Sequence, residues 1–474
     1  MNDTNLGIRL RSLRREAGYT QAKLARDLDI SPSYLNLIEH GHRRLSAELL
    51  LRAAAVLKLD LGEIAADPAV ALQRQVMEAL SEPTLDDPDV KGVDLGELVA
   101  RQPGVARAIV ALHRNWRMAQ DALDHLGSGG LESGAGGLDP SRLPSEEIND
   151  LVQRHNNYFP ELEAAAESLW RRWRLSGERL FEGLARILDE AHGVRVQLES
   201  PLELPGVLRR YDPVERVLHL AETLPPCSRH FHMAWQIGAL ELMPTFDRVL
   251  EDPHLSADSS VRLGRMVLSS YFAGAMLMPY ETFLTAAEEL RYDVDLLGHR
   301  FRASFEQVCH RLTCLRREGR EGVPFHLVKI DTAGNILKRF SASGIGFARF
   351  SAGCPLWNVN AAFMTPGRIR VQVSVMPDGE RYFCVARTLQ RRHGGWRSRE
   401  TIHAIALGCS LEHASKLVYG AGIDPDRVEP VPIGTNCRVC TRAHCEQRAF
   451  PSMMASGGLD PNVRRVSFFA EGEG

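Results

Sequence analysis

Residues 20–41 read TQAKLARDLDISPSYLNLIEHG, and this stretch predicts two short helices joined by a tight turn. Thr20 is a favourable N-cap for the first helix, whose apolar residues recur at helical spacing. The pair Ser31-Pro32 is typical of a helix start, a cap followed by a proline at the first helical position, and Gly41 ends that helix. Two such helices, the second beginning with small polar residues, fit the major groove of DNA.

Apolar periodicity predicts two flanking helices, over residues 6–17 and 46–57, which complete a four-helix unit. Residues 1–60 hold ten Lys or Arg and seven Asp or Glu, a balance of +3, whereas the whole chain carries −3. A cationic front end suits the phosphates of double-stranded DNA. The candidate DNA contacts are Gln21, Ser31, Ser33, Tyr34, Asn36, Arg43 and Arg44. The alternative is a protein-interaction bundle, which would have no need of a polar, capped recognition helix.

Residues 6 to about 62 resemble the XRE-type, phage-repressor-like helix-turn-helix family. The residues that carry the resemblance are Gln21, Leu24, Ala25, Ser31, Tyr34, Leu35, Ile38, Glu39 and Gly41. The resemblance implies that this unit binds an operator in double-stranded DNA.

The bulk properties indicate a multidomain protein, mainly α with an α+β C-terminal part. A chain of 474 residues is too long for one core. No apolar run approaches the length of a membrane span and the N-terminus lacks a signal-peptide core, so we expect a cytoplasmic protein without a membrane partner. Nine cysteines, three of them in one short cluster, favour reduced thiols or metal ligands over a disulfide framework.

Composition shifts along the chain predict four regions. Residues 127–140 contain six glycines and form the clearest linker. Residues 148–191 read as one long amphipathic helical run, and Pro377-Asp378-Gly379 is a strong hairpin signal. The predicted regions are a DNA-binding domain over 1–65, a helical dimerisation and linker region over 66–144, a helical domain over 145–322, and an α+β domain over 323–474.

Residues 230–243, HFHMAWQIGALELM, resemble the active-site helix of ImmA/IrrE-type zinc peptidases. In that family the helix carries His-Glu-x-x-His, in which two histidines bind zinc and the glutamate is the general base. Trp235, Gln236 and Ala239 stand at those positions, and no carboxylate stands at or beside Val267 and Leu268 for a third ligand. We therefore expect residues 145–322 to be a degenerate peptidase domain without proteolytic activity, whose cleft is a candidate small-molecule pocket.

The sequence Cys437-Arg-Val-Cys440-Thr-Arg-Ala-His-Cys445 can hold three thiolates around one centre. Cys354, in a Gly-Cys-Pro-Leu-Trp loop, is the candidate fourth ligand, since Cys-Pro is common at iron–sulfur ligands. The pattern suits a [4Fe–4S] cluster. A zinc site with Cys354 or His444 as fourth ligand, and unmetallated thiols, remain open.

The order of these regions resembles that of the short-chain fatty acyl-CoA regulators. The specific segments are residues 304–312, 350–358 and 434–451. The resemblance implies a transcription factor that senses a short-chain acyl-CoA of propionate, acetate or related metabolism. Candidate ligand contacts, chosen because coenzyme A needs cations and aromatic surfaces, are Arg171, Arg172, Tyr271, Tyr280 and Arg302.

Together these patterns predict a homodimeric, non-enzymatic transcription factor that binds DNA with residues 1–65 and a short-chain acyl-CoA with the following domains. Two alternatives stay open at this point. One is a redox-sensing transcription factor in which an iron–sulfur cluster is the signal. The other is a metallopeptidase that cleaves a repressor. Trp235, Gln236 and Ala239, which replace the residues of the zinc motif, argue against it.

Overall fold

The structure is a computed structural model, which describes residues 14, 19–28, 30–39, 43, 49, 52, 53, 56, 68–80, 95–127, 144–255, 257–347, 353–392, 398, 400–438, 440–442, 444–451 and 463–470. The chain divides into two compact units, Met1–Glu78 with Gly92–Val110, and Ala79–Lys91 with Ala111–Gly474. Arg44 and most of the predicted glycine-rich linker lie outside the described residues. Of the described helices, none is both long and apolar enough to cross a membrane.

The N-terminal part contains the two predicted short helices, Gln21–Asp27 and Pro32–Glu39. The Thr20 side chain caps the first by accepting a hydrogen bond from the Lys23 amide at 3.2 Å. A small core buries Leu24, Ala25, Leu28, Leu35, Ile38, Leu49 and Ala53. The helices that follow along the chain are Pro68–Leu80, Leu95–Arg101 and Pro103–Gly127. The flanking helices predicted over 6–17 and 46–57 lie largely outside the described residues.

The first half of the larger unit is helical with one small sheet. Its first helices are Pro144–Arg154, Pro160–Trp173 and Leu180–Arg186, so the single helical run predicted over 148–191 was wrong. The run breaks because Pro160 starts a new helix, and because Arg174, with φ of 48°, closes that helix in the left-handed conformation. Three strands follow, β1 (Arg195–Glu199), β2 (Arg209–Asp212) and β3 (Val217–Ala221). Their order is β1-β3-β2, with β1 parallel and β2 antiparallel to β3.

Six further helices follow this sheet along the chain. Their core is continuous with that of the six-stranded sheet described below. They are Pro226–Glu241, Met243–Leu250, Asp258–Leu277, Tyr280–Glu289, Val294–Phe301 and Phe305–Thr313. A buried ion pair joins three of the helices: the Arg311 guanidinium donates to Glu163 Oε1 at 2.5 Å and Oε2 at 2.8 Å, and Tyr271 donates to the same carboxylate at 2.7 Å. The side chains of Arg311 and Glu163 are each 1% exposed.

The last region is a six-stranded sheet of order β5-β4-β8-β7-β6-β9. The strands are β4 (His326–Asp331), β5 (Ile336–Ser341), β6 (Arg370–Val375), β7 (Arg381–Arg392), β8 (Glu400–Ser410) and β9 (Val431–Pro432), with the short helix Asn358–Ala361 before β6. The hairpin predicted at Pro377-Asp378-Gly379 is confirmed, because Val375 faces Arg381 across antiparallel β6 and β7. The predicted fold class, mainly α with an α+β C-terminal part, is also confirmed.

Candidate functional site

The helix Pro32–Glu39 presents a polar, exposed surface at its N-terminal end. Ser31 caps it by accepting a hydrogen bond from the Tyr34 amide at 3.1 Å. Ser31, Ser33 and Asn36 are exposed, Tyr34 is 40% exposed, and Arg43 is exposed beyond the helix. Gln21 reaches this surface from the preceding helix, since its Nε2 donates to Asn36 Oδ1 at 3.2 Å. The structure thus brings Gln21 next to the predicted contacts on the second helix, as insertion into a DNA groove requires.

A buried ion pair fixes the orientation of this helix. Arg14 donates to both carboxylate oxygens of Glu39, at 2.6 Å and 3.0 Å, and to the Tyr19 carbonyl at 2.8 Å. Gln21 donates to the same carboxylate at 3.0 Å. No sequence pattern singles out Arg14, because an arginine in an amphipathic helix is ordinarily a surface residue.

The emptied peptidase centre lies on the helix Pro226–Glu241, beside strand β2. The Arg209 guanidinium stacks on the ring of Trp235, with Cζ 3.5 Å from the ring centroid, and Arg209 Nη1 donates to Gln236 Oε1 at 3.4 Å. The Trp235 indole in turn donates to Ser270 Oγ at 3.2 Å. Two positions that would bind zinc and activate water in a peptidase therefore contact an arginine instead.

Arg209 is a cation without a carboxylate partner among the described residues. Burial lowers the pKa of Arg209 to about 10, which leaves it charged at neutral pH. The pKa of the neighbouring His232 is lowered to about 4, chiefly by burial and further by the positive charges of Arg209 and Arg391. His232 is accordingly neutral, and the positive charge beside Trp235 and Gln236 comes from arginine.

The five residues predicted to bind an acyl-CoA do not form one site. Tyr271 is buried against Glu163, and Tyr280 is fully buried, donating to the Arg320 carbonyl at 3.0 Å. The other three are exposed: Arg171 and Arg172 are neighbours on the helix Pro160–Trp173, whereas Arg302 follows the helix Val294–Phe301. Arg171 contacts the Glu167 carbonyl, Arg172 lies over the Trp173 ring, and Arg302 contacts the Glu178 carbonyl. Both tyrosines belong to the core because their hydroxyls have backbone or carboxylate partners, a fact that spacing does not reveal. Arg209, which no sequence pattern singles out, is the cation that contacts the emptied peptidase positions Trp235 and Gln236.

The four cysteines predicted as metal ligands line one small cavity. Cys354, Cys437, Cys440 and Cys445 surround it together with Pro432, Gly434, Asn436, Arg442 and Arg448. His444, the alternative zinc ligand, is exposed and is absent from this lining. Across the described ranges, no three His, Cys, Asp or Glu side chains converge closely enough to hold a metal ion as they stand. The cavity is therefore a gathering of thiols rather than a closed coordination shell.

Hydrogen-bond donors surround these sulfur atoms. The amides of Gly434 and Leu356 donate to Cys354 Sγ; burial raises the pKa of that thiol to about 11, and these two bonds act in the opposite direction. The Ala449 amide donates to Cys437 Sγ at 3.4 Å. A side chain at Gly434 would collide with Cys440, because its Cβ would lie 2.8 Å from that sulfur. The backbone thus approaches the thiols closely, as it does around metal–thiolate centres.

Two arginines and no described carboxylate complete the cavity lining. Arg442 donates to the carbonyls of Ile433 at 3.3 Å and Val375 at 2.9 Å. Arg448 is 4% exposed, and its Nη atoms donate to the carbonyls of Cys437, Cys440 and Arg442. The Nε atom of Arg448 is buried and has no hydrogen-bond partner. The donor set and this orphaned atom both fit an anionic thiolate centre.

The remaining cysteines are separate from this cavity. Cys309, Cys314, Cys384 and Cys409 are buried, and Cys227 is half-buried. Cys384 Sγ lies 3.2 Å from His326 Nε2 inside the second sheet, where burial raises the thiol pKa to about 12 and lowers the histidine pKa to about 3. The pair is neutral and serves packing, since a thiolate and an imidazolium would both be desolvated there.

Comparison with protein families gives three matches. Residues 10–64 match the helix-turn-helix family, residues 189–313 the IrrE N-terminal-like domain, and residues 314–469 the C-terminal domain described as short-chain fatty acyl coenzyme A regulator. The matches follow one another along the chain in the order that the sequence predicted. The geometry described above lies within them, with Arg209 and Trp235 in the second match and all four cavity cysteines in the third.

Several relatives are similar over nearly the whole chain. The HTH-type transcriptional regulator RamB of Mycobacterium tuberculosis is 39% identical over 473 residues, which cover 98% of either chain. PrpR of the same species, also an HTH-type transcriptional regulator, is 39% identical over 96% of this chain and 94% of its own. The propionyl-CoA carboxylase regulator of Cereibacter sphaeroides is 35% identical over 97% of this chain and 96% of its own.

A solved structure of a Mycobacterium tuberculosis transcriptional regulator superposes with a TM-score of 0.65 at 39% identity, over 69% of this chain and 99% of that chain. The identity of the full-length relatives extends across the helix-turn-helix, the IrrE-like region and the C-terminal sheet. The chain therefore belongs to the short-chain fatty acyl-CoA regulators, helix-turn-helix transcriptional regulators with a degenerate IrrE-like domain and a family-specific C-terminal domain.

Proposed function

We propose that this regulator binds its operator as a homodimer and that a short-chain acyl-CoA, bound in the emptied peptidase cleft, sets its affinity for DNA. The relative named as a propionyl-CoA carboxylase regulator supports propionyl-CoA as the first ligand to test. The helices of region 66–144, above all Pro103–Gly127, are the proposed dimerisation element, and residues 1–65 the proposed DNA-binding domain. Ligand binding would change the spacing of the two recognition helices, to which operator affinity is sensitive.

The observation that carries the effector site is Arg209 stacked on Trp235. Arg209 is a half-buried cation on an aromatic face and has no carboxylate partner among the described residues. Such a cation favours an anionic ligand, because a charge-assisted hydrogen bond is stronger than a neutral one. Coenzyme A provides phosphates for such a cation and a flat adenine for an aromatic surface. Gln236 stands in place of the glutamate of the peptidase motif, so no carboxylate at that position repels these phosphates.

The test is a gel-shift titration of the full-length protein on its promoter fragment, with propionyl-CoA, acetyl-CoA and free coenzyme A as separate arms. We expect a short-chain acyl-CoA to change DNA affinity in the wild type and to lose most of this effect in Arg209→Gln. Arg210→Gln is the matched control, because Arg210 is adjacent on the same strand and exposed. If acyl-CoA changes the DNA affinity of both variants equally, the effector does not bind beside Arg209. If no acyl-CoA changes the DNA affinity of the wild type, the proposed function is contradicted.

The cysteine cavity supports a second, separable function in redox or metal sensing. Cys354, Cys437, Cys440 and Cys445 would hold the metal there, and a [4Fe–4S] cluster would supply one-electron redox chemistry where zinc would supply only structure. Metal analysis of anaerobically purified protein distinguishes them. Loss of regulation in Cys437→Ser, combined with no effect of any acyl-CoA, would favour a regulator that senses redox state alone.

A further inference from the structure

We infer that Arg448 tunes the thiolate centre: its Nε–H donates a hydrogen bond to a sulfur atom of the metal site and thereby sets the reduction potential. The inference rests on the proposed metal centre and goes beyond it, because it assigns a positioning and tuning role to a residue that is not a ligand.

Three features of Arg448 carry this inference. It lines the cavity of the four cysteines, it is 4% exposed, and its Nε–H is buried without an acceptor in the described structure. Buried donors are seldom left unpaired, because an unmade hydrogen bond costs the full desolvation penalty. The cavity offers sulfur atoms as acceptors for this N–H, and no carboxylate in the described lining competes for it.

The rest of the guanidinium fixes its direction. The Nη atoms donate to the carbonyls of Cys437, at 2.8 Å, and Cys440, at 3.0 Å, and also to the Arg442 carbonyl. Ser467 holds the Arg448 backbone from outside the cysteine cluster, since its hydroxyl donates to the Arg448 carbonyl at 2.7 Å. A planar fork bound at three carbonyls has little rotational freedom, so Nε–H is held in place before a metal binds.

The physical effect on a redox centre has a definite sign. An N–H···S bond and a nearby cation both withdraw charge from sulfur, and they stabilise the more negative, reduced state. Loss of the Arg448 bond therefore lowers the reduction potential. Arg442 supplies a cation to the same cavity, but its Nε–H is already bonded to the Ile433 carbonyl. The two arginines allow the effect of charge to be separated from that of the hydrogen bond.

The experiment uses the full-length protein, reconstituted anaerobically with ferrous iron and sulfide, and a redox titration followed by visible absorbance. Arg448→Lys keeps the charge and removes the Nε–H, and Arg442→Lys is the matched control. We expect Arg448→Lys to disfavour reduction at least tenfold, a drop of about 59 mV for a one-electron couple, with unchanged iron content. Arg442→Lys should shift the potential by less than half as much. Equal shifts in both variants, or no shift in Arg448→Lys, would overturn the inference.

A second measurement avoids substitution, in case Arg448→Lys fails to fold. The wild type is loaded with an NMR-active cadmium isotope, and the arginine Nε–H signals are examined for scalar coupling to the metal through an N–H···S bond. Coupling to Arg448 and none to Arg442 is the expected result, and its absence at Arg448 overturns the inference. Binding of neither iron nor cadmium also overturns it, while leaving the acyl-CoA response at Arg209 open to its own test.

Discussion

The emptied peptidase helix and the cysteine cavity each have an arginine beside them and no described carboxylate paired with it, but they differ in where the matching anion would come from. In the cavity the chain itself can supply it, since four thiols surround Arg442 and Arg448. In the cleft beside Trp235 the described chain supplies none, and Arg209 stacks on the indole with only an amide oxygen as polar partner. The contrast shows that an unpaired arginine can mark either a resident anionic centre or the place of an anion from solution.

The largest expected effect is the loss of the resident centre. Cys437→Ser removes one thiolate, and we expect it to weaken iron or zinc binding by about a hundredfold or more. Even the loss of a residue that only hydrogen-bonds to a metal ligand costs about 10- to 100-fold. Metal content after anaerobic reconstitution measures this. Cys227→Ser is the control, because Cys227 is a half-buried thiol outside the cavity. Undiminished metal binding in Cys437→Ser would contradict the proposal that the cysteine cavity binds a metal.

The next prediction concerns what stabilises the cleft region, whose helix has lost its metal ligands. Glu163→Gln leaves the Arg311 charge buried without its partner, so we expect the free energy of unfolding to fall by about 3–5 kcal/mol. Urea denaturation measures the change. In the control Glu167→Gln, the ion pair with Arg317 is partly exposed and we expect a loss below about 1 kcal/mol. Similar losses in both variants would show that the buried pair is not the main electrostatic support of these helices.

A smaller effect tests whether His326, which lies beside the buried thiol of Cys384, is uncharged in the folded protein. Burial lowers the pKa of His326, beside Cys384, to about 3. Between that value and the ordinary histidine pKa of about 6.5, the unfolded chain takes up a proton that the folded chain refuses, so stability falls by about 1.4 kcal/mol per pH unit as the pH decreases. His326→Gln should remove this slope from the pH dependence of unfolding, whereas replacement of the exposed His254 should not. An unchanged slope in His326→Gln would contradict a neutral His326.

The last prediction is that restoring the peptidase motif does not restore zinc binding. Restoring the peptidase motif with Trp235→His, Gln236→Glu and Ala239→His should not produce stoichiometric zinc binding, because Arg209 remains as a positive charge and the third ligand is still absent. Zinc titration with a chromophoric chelator checks this. The same triple variant combined with Arg209→Gln separates the charge from the missing ligand. The wild type is titrated in parallel, because its cysteine cavity is itself a candidate zinc site. One further tight zinc site in the triple variant, beyond those of the wild type, would show that the cleft is still a metal site.

The sequence predicted those features that depend on local pattern or on a motif. Capping at Thr20 and Ser31, the turn at Pro377-Asp378-Gly379 and the joint cavity of Cys354 with the C-terminal cysteines agree with the structure. Each depends on neighbours in the chain or on a known ligand spacing.

The features that sequence reasoning missed depend on pairing across the chain. Arg209 lies on β2 and Trp235 on the helix Pro226–Glu241, and no periodicity in either segment indicates their contact. The sequence predicts Tyr271 as an acyl-CoA contact, but its hydroxyl lies in the network of Glu163 and Arg311, which are 148 positions apart. The parallel pairing of β1 with β3 has no local signal either.

The most direct test of the central claim, that the unpaired Arg209 receives an anion from solution, is calorimetric binding of propionyl-CoA to the full-length protein in the absence of DNA. We predict that Arg209→Gln weakens binding about 10- to 100-fold, the equivalent of one charge-assisted hydrogen bond at 1.5–3 kcal/mol, whereas Arg210→Gln binds like the wild type. Equal affinity of Arg209→Gln and the wild type, or no binding of any acyl-CoA by the wild type, would contradict the claim.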